Sequence, residues 1–222
     1  MNGNTLSSAP SPSLRLHHYA LSGHSHRVHL FLSLLRLPVE LRAVDLPSGQ
    51  QKSPAFLRLN PFGQVPVLED GELVLADSQA ILVYLALRYD PSRQWLPEAA
   101  QANAEVQRWL SAAAGPLAFG PAHARVGRLF NLPIEARAYE LSQKLFTAME
   151  ERLREQAFIA SRAHATIADL ALYGYTAAAP EGGILLDDYP AIQAWLGRIE
   201  ALPDFIPMPR AALPATPGEA RP

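Results

Sequence analysis

The chain reads as an α/β domain followed by an all-α domain, and three observations carry that reading. Strand-like and helix-like segments alternate in the order β-α-β-α-β-β-α as far as Arg88. Turn formers then cluster at Asp90-Pro91-Ser92 and Pro97, and beyond them strand signals almost vanish. Four later segments carry the apolar spacing of amphipathic helices instead. Strands and helices alternating within one unit predict a mixed sheet covered by helices.

Leu14 to Tyr19 has a strand pattern, and Val28 to Leu37 is an apolar helix that must stop before Pro38, because proline drives the preceding residue out of helical geometry. Val39, Leu41 and Ala43 alternate with Glu40 and Arg42, the period of a second strand. A short helix at Pro54 to Leu59 leads to Val65, Val67 and Leu68, a strand returned by Asp70-Gly71 through Glu72 to Leu75. Pro66 interrupts that strand. Proline cannot donate to a ladder, so it belongs at an edge, a strand start or a bulge, and a cis bond is one way to turn there. A bend at Pro66 leaves the backbone N–H and C=O of Val65 free to pair with an extended peptide. Asp77-Ser78 opens the helix that runs to Arg88, and a helix start with unpaired amides is a place that binds a carboxylate.

Helical spacing returns at Gln101 to Ala114, Glu135 to Gln156, Thr166 to Ala177 and Ala191 to Leu202. Gly115-Pro116 and Gly120-Pro121 follow the first of these and leave two paths open, a kinked helix or two helices joined by an irregular turn. Thr166 and Asp169 have the spacing of a capping box, which assigns Asp169 to folding. The expected organisation is a flexible tail at 1–13, an α/β domain at 14–92, a linker at 93–100, a helical domain at 101–208 and a second tail at 209–222.

Composition removes several function classes. A net charge of −2 without long Lys/Arg runs argues against nucleic-acid or polybasic membrane partners. No apolar stretch approaches the roughly 20 residues that span a bilayer, and the first residues lack the pattern of a signal peptide, so a cytoplasmic location is expected. With 222 residues, 49% of them hydrophobic, the chain can bury one large core or two smaller ones. It has no cysteine, which excludes disulfides, an enzyme thiol and a redox pair of its own. Sulfur chemistry here must use a bound thiol.

Ser22 with the helix after it, then NPFGQVPVL at 60–68, Asp77-Ser78 and Thr166-Ile167-Ala168-Asp169 resemble, in that order, the bacterial serine-type cytosolic glutathione S-transferases. The resemblance covers nearly the whole chain. It implies a thioredoxin-like N-terminal domain that binds glutathione as co-substrate, an all-α C-terminal domain, no metal, a two-fold homodimer and a role in detoxifying a small electrophile.

A hydroxyl between a strand and a helix can donate to a bound thiolate while the helix amides favour the negative charge. Lowering a thiol from about 8.5 by about two pH units takes roughly 3 kcal/mol. A hydrogen bond to a charged group supplies about 1.5 to 3 kcal/mol and a helix start about 0.3 to 2. Ser22 and Ser25 are equally natural as helix caps. The resemblance points to Ser22 as the activating hydroxyl, with Ser25 second and Tyr19 third, and it places His24 where some bacterial branches use an asparagine that also contacts the thiol. His24, His26 and His29 follow His17 and His18 in a pattern that suggests a metal, but no cysteine or nearby carboxylate completes the ligand set.

The resemblance further implies that Val65, beside Pro66, pairs its backbone with the cysteinyl part of glutathione. Gln64 would lie at the glycyl end, with Lys52 on the glycyl carboxylate. Ser78 would hold the γ-glutamyl carboxylate and Asp77 the ammonium group. An apolar co-substrate needs a wall from the helical half, for which Trp109, Phe119 and His123 are the candidates, followed by Phe130 and Tyr173. Conjugation of an apolar electrophile is the expected reaction. A glutathione-dependent disulfide or peroxide reductase and a non-catalytic glutathione-binding protein are the alternatives.

Overall fold

Leu14 and Leu16 point one way from the first strand and His17 the other, and this alternation organises the N-terminal half. The computed structural model describes residues 14–211. The tail readings at 1–13 and beyond residue 211 therefore lie outside the described residues. Strand β1 (Leu14–His18) is central, parallel to β2 (Val39–Ala43) and antiparallel to β3 (Val67–Asp70), which pairs antiparallel with β4 (Leu73–Ala76). The sheet order is β2-β1-β3-β4. Leu14, Leu16 and Leu68 share a core with helices α1 (Gly23–Leu34) and α3 (Ser78–Tyr89) on one face. On the other face Val67 packs with Val44 and with Phe56 of α2 (Pro54–Leu59). Period-two patterning thus gives a sheet covered on both sides.

Two boundary differences from the sequence expectation bear on the site. Helix α1 starts at Gly23 rather than Val28, because Ser22 caps it and the polar first turn hid the apolar period. The third strand starts at Val67, leaving Val65 and Pro66 outside the ladder, joined by a cis peptide bond.

The helical half comprises α4 (Ala100–Ala112), α5 (His123–Phe130), α6 (Ala136–Glu155), α7 (Ile167–Ala177) and α8 (Pro190–Glu200). Between α4 and α5 the backbone does not break. Residues Ala113–Ala122 are wound as a π-helix that contains Pro116 and Pro121. Proline lacks the N–H and crowds the carbonyl one α-turn back, and wider winding moves that carbonyl aside. The two Gly-Pro pairs therefore widen one continuous helix. Gly120 brings it against α6, where a Cβ would stand 2.8 Å from Ser142 Oγ.

Buried Asp169 ties this half together, accepting from Ile159 N at 2.7 Å, Thr166 N at 2.8 Å and Trp195 Nε1 at 2.9 Å. Its capping box with Thr166 is present. Among the described residues no helix is long and apolar enough to cross a membrane.

Candidate active site

A cavity of about 630 Å³ is lined by Ser22 and His24 together with Gln64, Val65, Asp77 and Ser78. Ser22 is the N-cap of α1, and its Oγ accepts the Ser25 N–H at 3.2 Å. Capping uses a lone pair of the hydroxyl and leaves its proton free to donate. One serine can therefore cap the helix and bind a thiolate at once. Ser25 is buried, with its Oγ accepting the Tyr19 N–H at 3.2 Å, and it does not line the cavity. Tyr19 contributes backbone, its carbonyl accepting the Ser22 N–H at 2.9 Å.

His24 lines the cavity and packs edge-on against Tyr175, with ring centroids 5.0 Å apart. Burial, reinforced by the charge of Arg27, pulls it down to about 3, so it is a neutral imidazole near pH 7. The other histidines diverge. His26 Nε2 meets the Ile206 carbonyl at 2.9 Å, His29 faces His18, and His17 Nε2 lies 2.6 Å from Glu69. Among the described residues no three His, Cys, Asp or Glu side chains converge as a metal site.

Val65 sits where the chain bends into β3, and no turn or side chain among the described residues takes up its backbone groups. Asn60 braces the bend. Its Nδ2 donates to the Gln64 carbonyl at 2.8 Å and its Oδ1 accepts the Phe62 N–H at 3.0 Å. Gly63 has φ 59°, and a Cβ there would strike the Gln51 carbonyl at 2.8 Å. Lys52 does not line the cavity. Its Nζ turns to the Phe62 carbonyl at 3.4 Å, and its neighbour Gln51 faces the cavity instead.

The start of α3 holds fewer free amides than the sequence suggested. Asp77 adopts φ 72°, ψ 121°, and its Oδ1 accepts the N–H groups of Gln79 at 2.9 Å and Ala80 at 3.0 Å. Of the first three amides only that of Ser78 is left by this cap. A second donor compensates. Arg27, 1% exposed, reaches across from α1 and donates Nη1 to Ser78 Oγ at 3.3 Å. Its Nε and Nη2 have no partner among the described residues. Burial draws Arg27 down from the ordinary arginine range to about 10, yet it remains a cation at neutral pH. With its lone pair taken by Arg27, the Ser78 hydroxyl can turn its proton toward a carboxylate.

Residues 21–88 match the model of the glutathione S-transferase N-terminal domain, and residues 135–203 that of the C-terminal domain. Human glutathione S-transferase theta-2 is 35% identical over 189 residues, 80% of this chain and 76% of the relative. The chain belongs to the glutathione S-transferase family. Among solved structures of the family, the glutathione S-transferase from Pseudomonas fluorescens Pf-5 superposes with a TM-score of 0.81 at 36% identity, covering 88% of this chain and 98% of the other. A glutathione transferase homolog from Drosophila mojavensis, solved with bound glutathione, gives a TM-score of 0.75 at 26% identity over 87% and 90%.

The co-substrate candidates in this glutathione S-transferase separate. Phe119 and His123 line a second cavity of about 640 Å³ together with Gly115, Pro116 and Leu141, and its lining shares no residue with the Ser22 cavity. Trp109 lines neither. It is 4% exposed, donates Nε1 to Glu105 at 3.1 Å and packs in the core, so the expectation that it walls an electrophile pocket gives way to a structural place. Tyr173 is likewise buried and donates to Glu200 at 2.9 Å, while Phe130 is 45% exposed at the end of α5.

Arg27, Gln51, Asn60 and Tyr175 were missed in the sequence. Arg27 carried one signal, a full charge at the edge of the apolar run that begins at Val28.

Proposed function

We propose that the protein is a glutathione transferase in which Ser22 holds the thiolate of bound glutathione for attack on a small, apolar electrophile. The observation that carries this is that a capping serine whose proton is free and the Asp77-Ser78 helix start line one cavity. The Ser22 hydroxyl and the amides of α1 lower the thiol pKa, and no enzyme base is needed. Neutral His24 serves as a further polar contact to sulfur. Val65 pairs with the cysteinyl backbone after the bend at Pro66, and Gln64 with Gln51 receives the glycyl end, where Lys52 stands behind. Ser78 takes the γ-glutamyl carboxylate, with Arg27 buried behind it and donating to the Ser78 hydroxyl. Oδ2 of Asp77, the oxygen that does not cap α3, takes the ammonium. Phe119 and Leu141 supply the apolar wall, and His123, Glu135 and Arg137 the polar one, of a cavity for the co-substrate.

The domain division at 93–100, a cytoplasmic, detoxifying role and a two-fold homodimer complete the reading. Light scattering at micromolar concentration should give twice the chain mass, and a monomer mass counts against the dimer. The reaction is tested with purified protein, glutathione and, in turn, an aryl halide, an organic peroxide and a small mixed disulfide. Aryl transfer supports the proposal. Disulfide reduction without aryl transfer makes the protein a reductase, and retention on immobilised glutathione without turnover makes it a binding protein.

A further inference from the structure

The loop that carries Ser22 is held from the other half of the chain. Arg125, on α5, is 1% exposed and donates Nη1 to the carbonyl of Leu21 at 2.6 Å, on the residue next to Ser22. Its Nε donates to Glu181 at 2.7 Å, so the guanidinium is aimed by a buried carboxylate. Glu181 lies in the 3₁₀ turn Ala179–Gly182, which presses on α5 so closely that a Cβ on Gly182 would stand 2.8 Å from Arg125 N. A second contact braces the same loop from α7, where a Cβ on Gly23 would meet the Tyr175 ring at 2.8 Å. The carbonyl of Leu21 and the hydroxyl of Ser22 belong to one short turn, itself closed by the Ser22 N–H to Tyr19 carbonyl bond.

We infer that Arg125 is a positioning residue for Ser22, an arm through which the helical domain sets the thiolate-holding hydroxyl. This rests on the proposed role of Ser22. The guanidinium is matched by Glu181, so its service is geometric rather than a free positive charge. A planar fork spans the carboxylate and the carbonyl together, and a lysine ammonium, a single point on a flexible stem, cannot hold both in that way. A small displacement of a catalytic group can cost up to about a hundredfold in rate.

The test is a double-mutant cycle on the full chain, using Arg125→Lys, which keeps the charge opposite Glu181, and Arg125→Met beside it, each with and without Ser22→Ala. The readouts are kcat, KM for glutathione and the pKa of the bound thiol, followed by thiolate absorbance. Expected in the Ser22 background is a fall of about tenfold in kcat, a rise of about one pH unit in the bound-thiol pKa, and KM within about twofold. In the Ser22→Ala background the same substitutions should change kcat by less than about twofold, since the arm then positions nothing. Should Arg125→Met not fold, Arg125→Lys carries both arms of the cycle. Wild-type kcat and thiol pKa in Arg125→Lys, or an equal loss with and without Ser22, overturns the inference. An unchanged kcat in Ser22→Ala alone overturns the role of Ser22 instead, so the two failures are distinguishable.

Discussion

Replacing Arg27 by methionine should make the ligand-free protein more stable and glutathione binding weaker. Burial draws Arg27 from the ordinary arginine value down to about 10, which at about 1.4 kcal/mol per pH unit is about 3 kcal/mol against the cation in the fold. Because the folded value lies below the unfolded one, that penalty is fully present below pH 10 and is relieved only as pH rises from there toward the ordinary arginine value. At pH 7 it acts in full. Methionine keeps an unbranched stem of similar reach and removes the charge, while Ser78 Oγ loses a donor worth about 1 kcal/mol. The net gain of about 2 kcal/mol is a rise of about 4 to 8 °C in Tm for a chain of this size. Glutathione binding changes in the opposite direction. Losing the buried charge that polarises the Ser78 hydroxyl toward the γ-glutamyl carboxylate costs about 1 kcal/mol, or roughly fivefold in Kd. Calorimetric melting with and without glutathione, together with a binding titration, reads both quantities. A variant that melts below wild type and binds glutathione with unchanged affinity would refute the reasoning and make Arg27 a plain core donor.

Ser22→Ala should lower kcat roughly ten- to hundredfold with little change in glutathione affinity, since about 1.5 to 3 kcal/mol of thiolate stabilisation is lost and the peptide is held elsewhere. Steady-state kinetics beside calorimetry decide this, and full activity in Ser22→Ala with none in Ser25→Ala would reverse the assignment. Asp77→Ala and Ser78→Ala should raise the glutathione Kd, acting alike on ground and transition states; unchanged affinity in both leaves that anchor without support. His26 concerns acid stability. Burial holds it at about 4, below its ordinary 6.5, so the stability it confers is intact above pH 6.5 and is lost as pH falls toward 4. His26→Gln should flatten the pH dependence of the unfolding free energy from urea titrations across that window by up to about 1.4 kcal/mol per pH unit, and parallel curves for the two proteins would exclude His26 as the source.

The sheet was legible because its strands are short and alternate, and the helical half because its apolar spacing is long and regular. That Ser22, Val65 and Ser78 stand at the ends of elements was legible because turn and cap chemistry marks where a chain leaves its ladder or opens a helix. Arg27 and Arg125 were not. Each acts on a partner far along the chain, Ser78 in one case and Leu21 in the other, and no local period records which residues the fold brings together. Lys52 stands differently from its expected place for the opposite reason. A cation beside a predicted anion site looks poised, yet a neighbouring carbonyl captured it. Gly115-Pro116 and Gly120-Pro121 signalled a disturbance without its form, since proline forbids ordinary helical winding but does not dictate what replaces it.

That replacement sets a phase. A π-wound stretch turns less per residue than an α-helix, so every residue after Ala122 faces a direction fixed by how long the wide winding lasts. Arg125 comes round to Leu21 only at this phase. Tightening Ala113–Ala122 into α-helix would leave α5 intact and still amphipathic, but rotated, with the guanidinium swung away from the serine loop. The two Gly-Pro pairs thus act at a distance as a timing element, and the alignment between the halves of the molecule is written in the pitch of one helix rather than in the surfaces that meet.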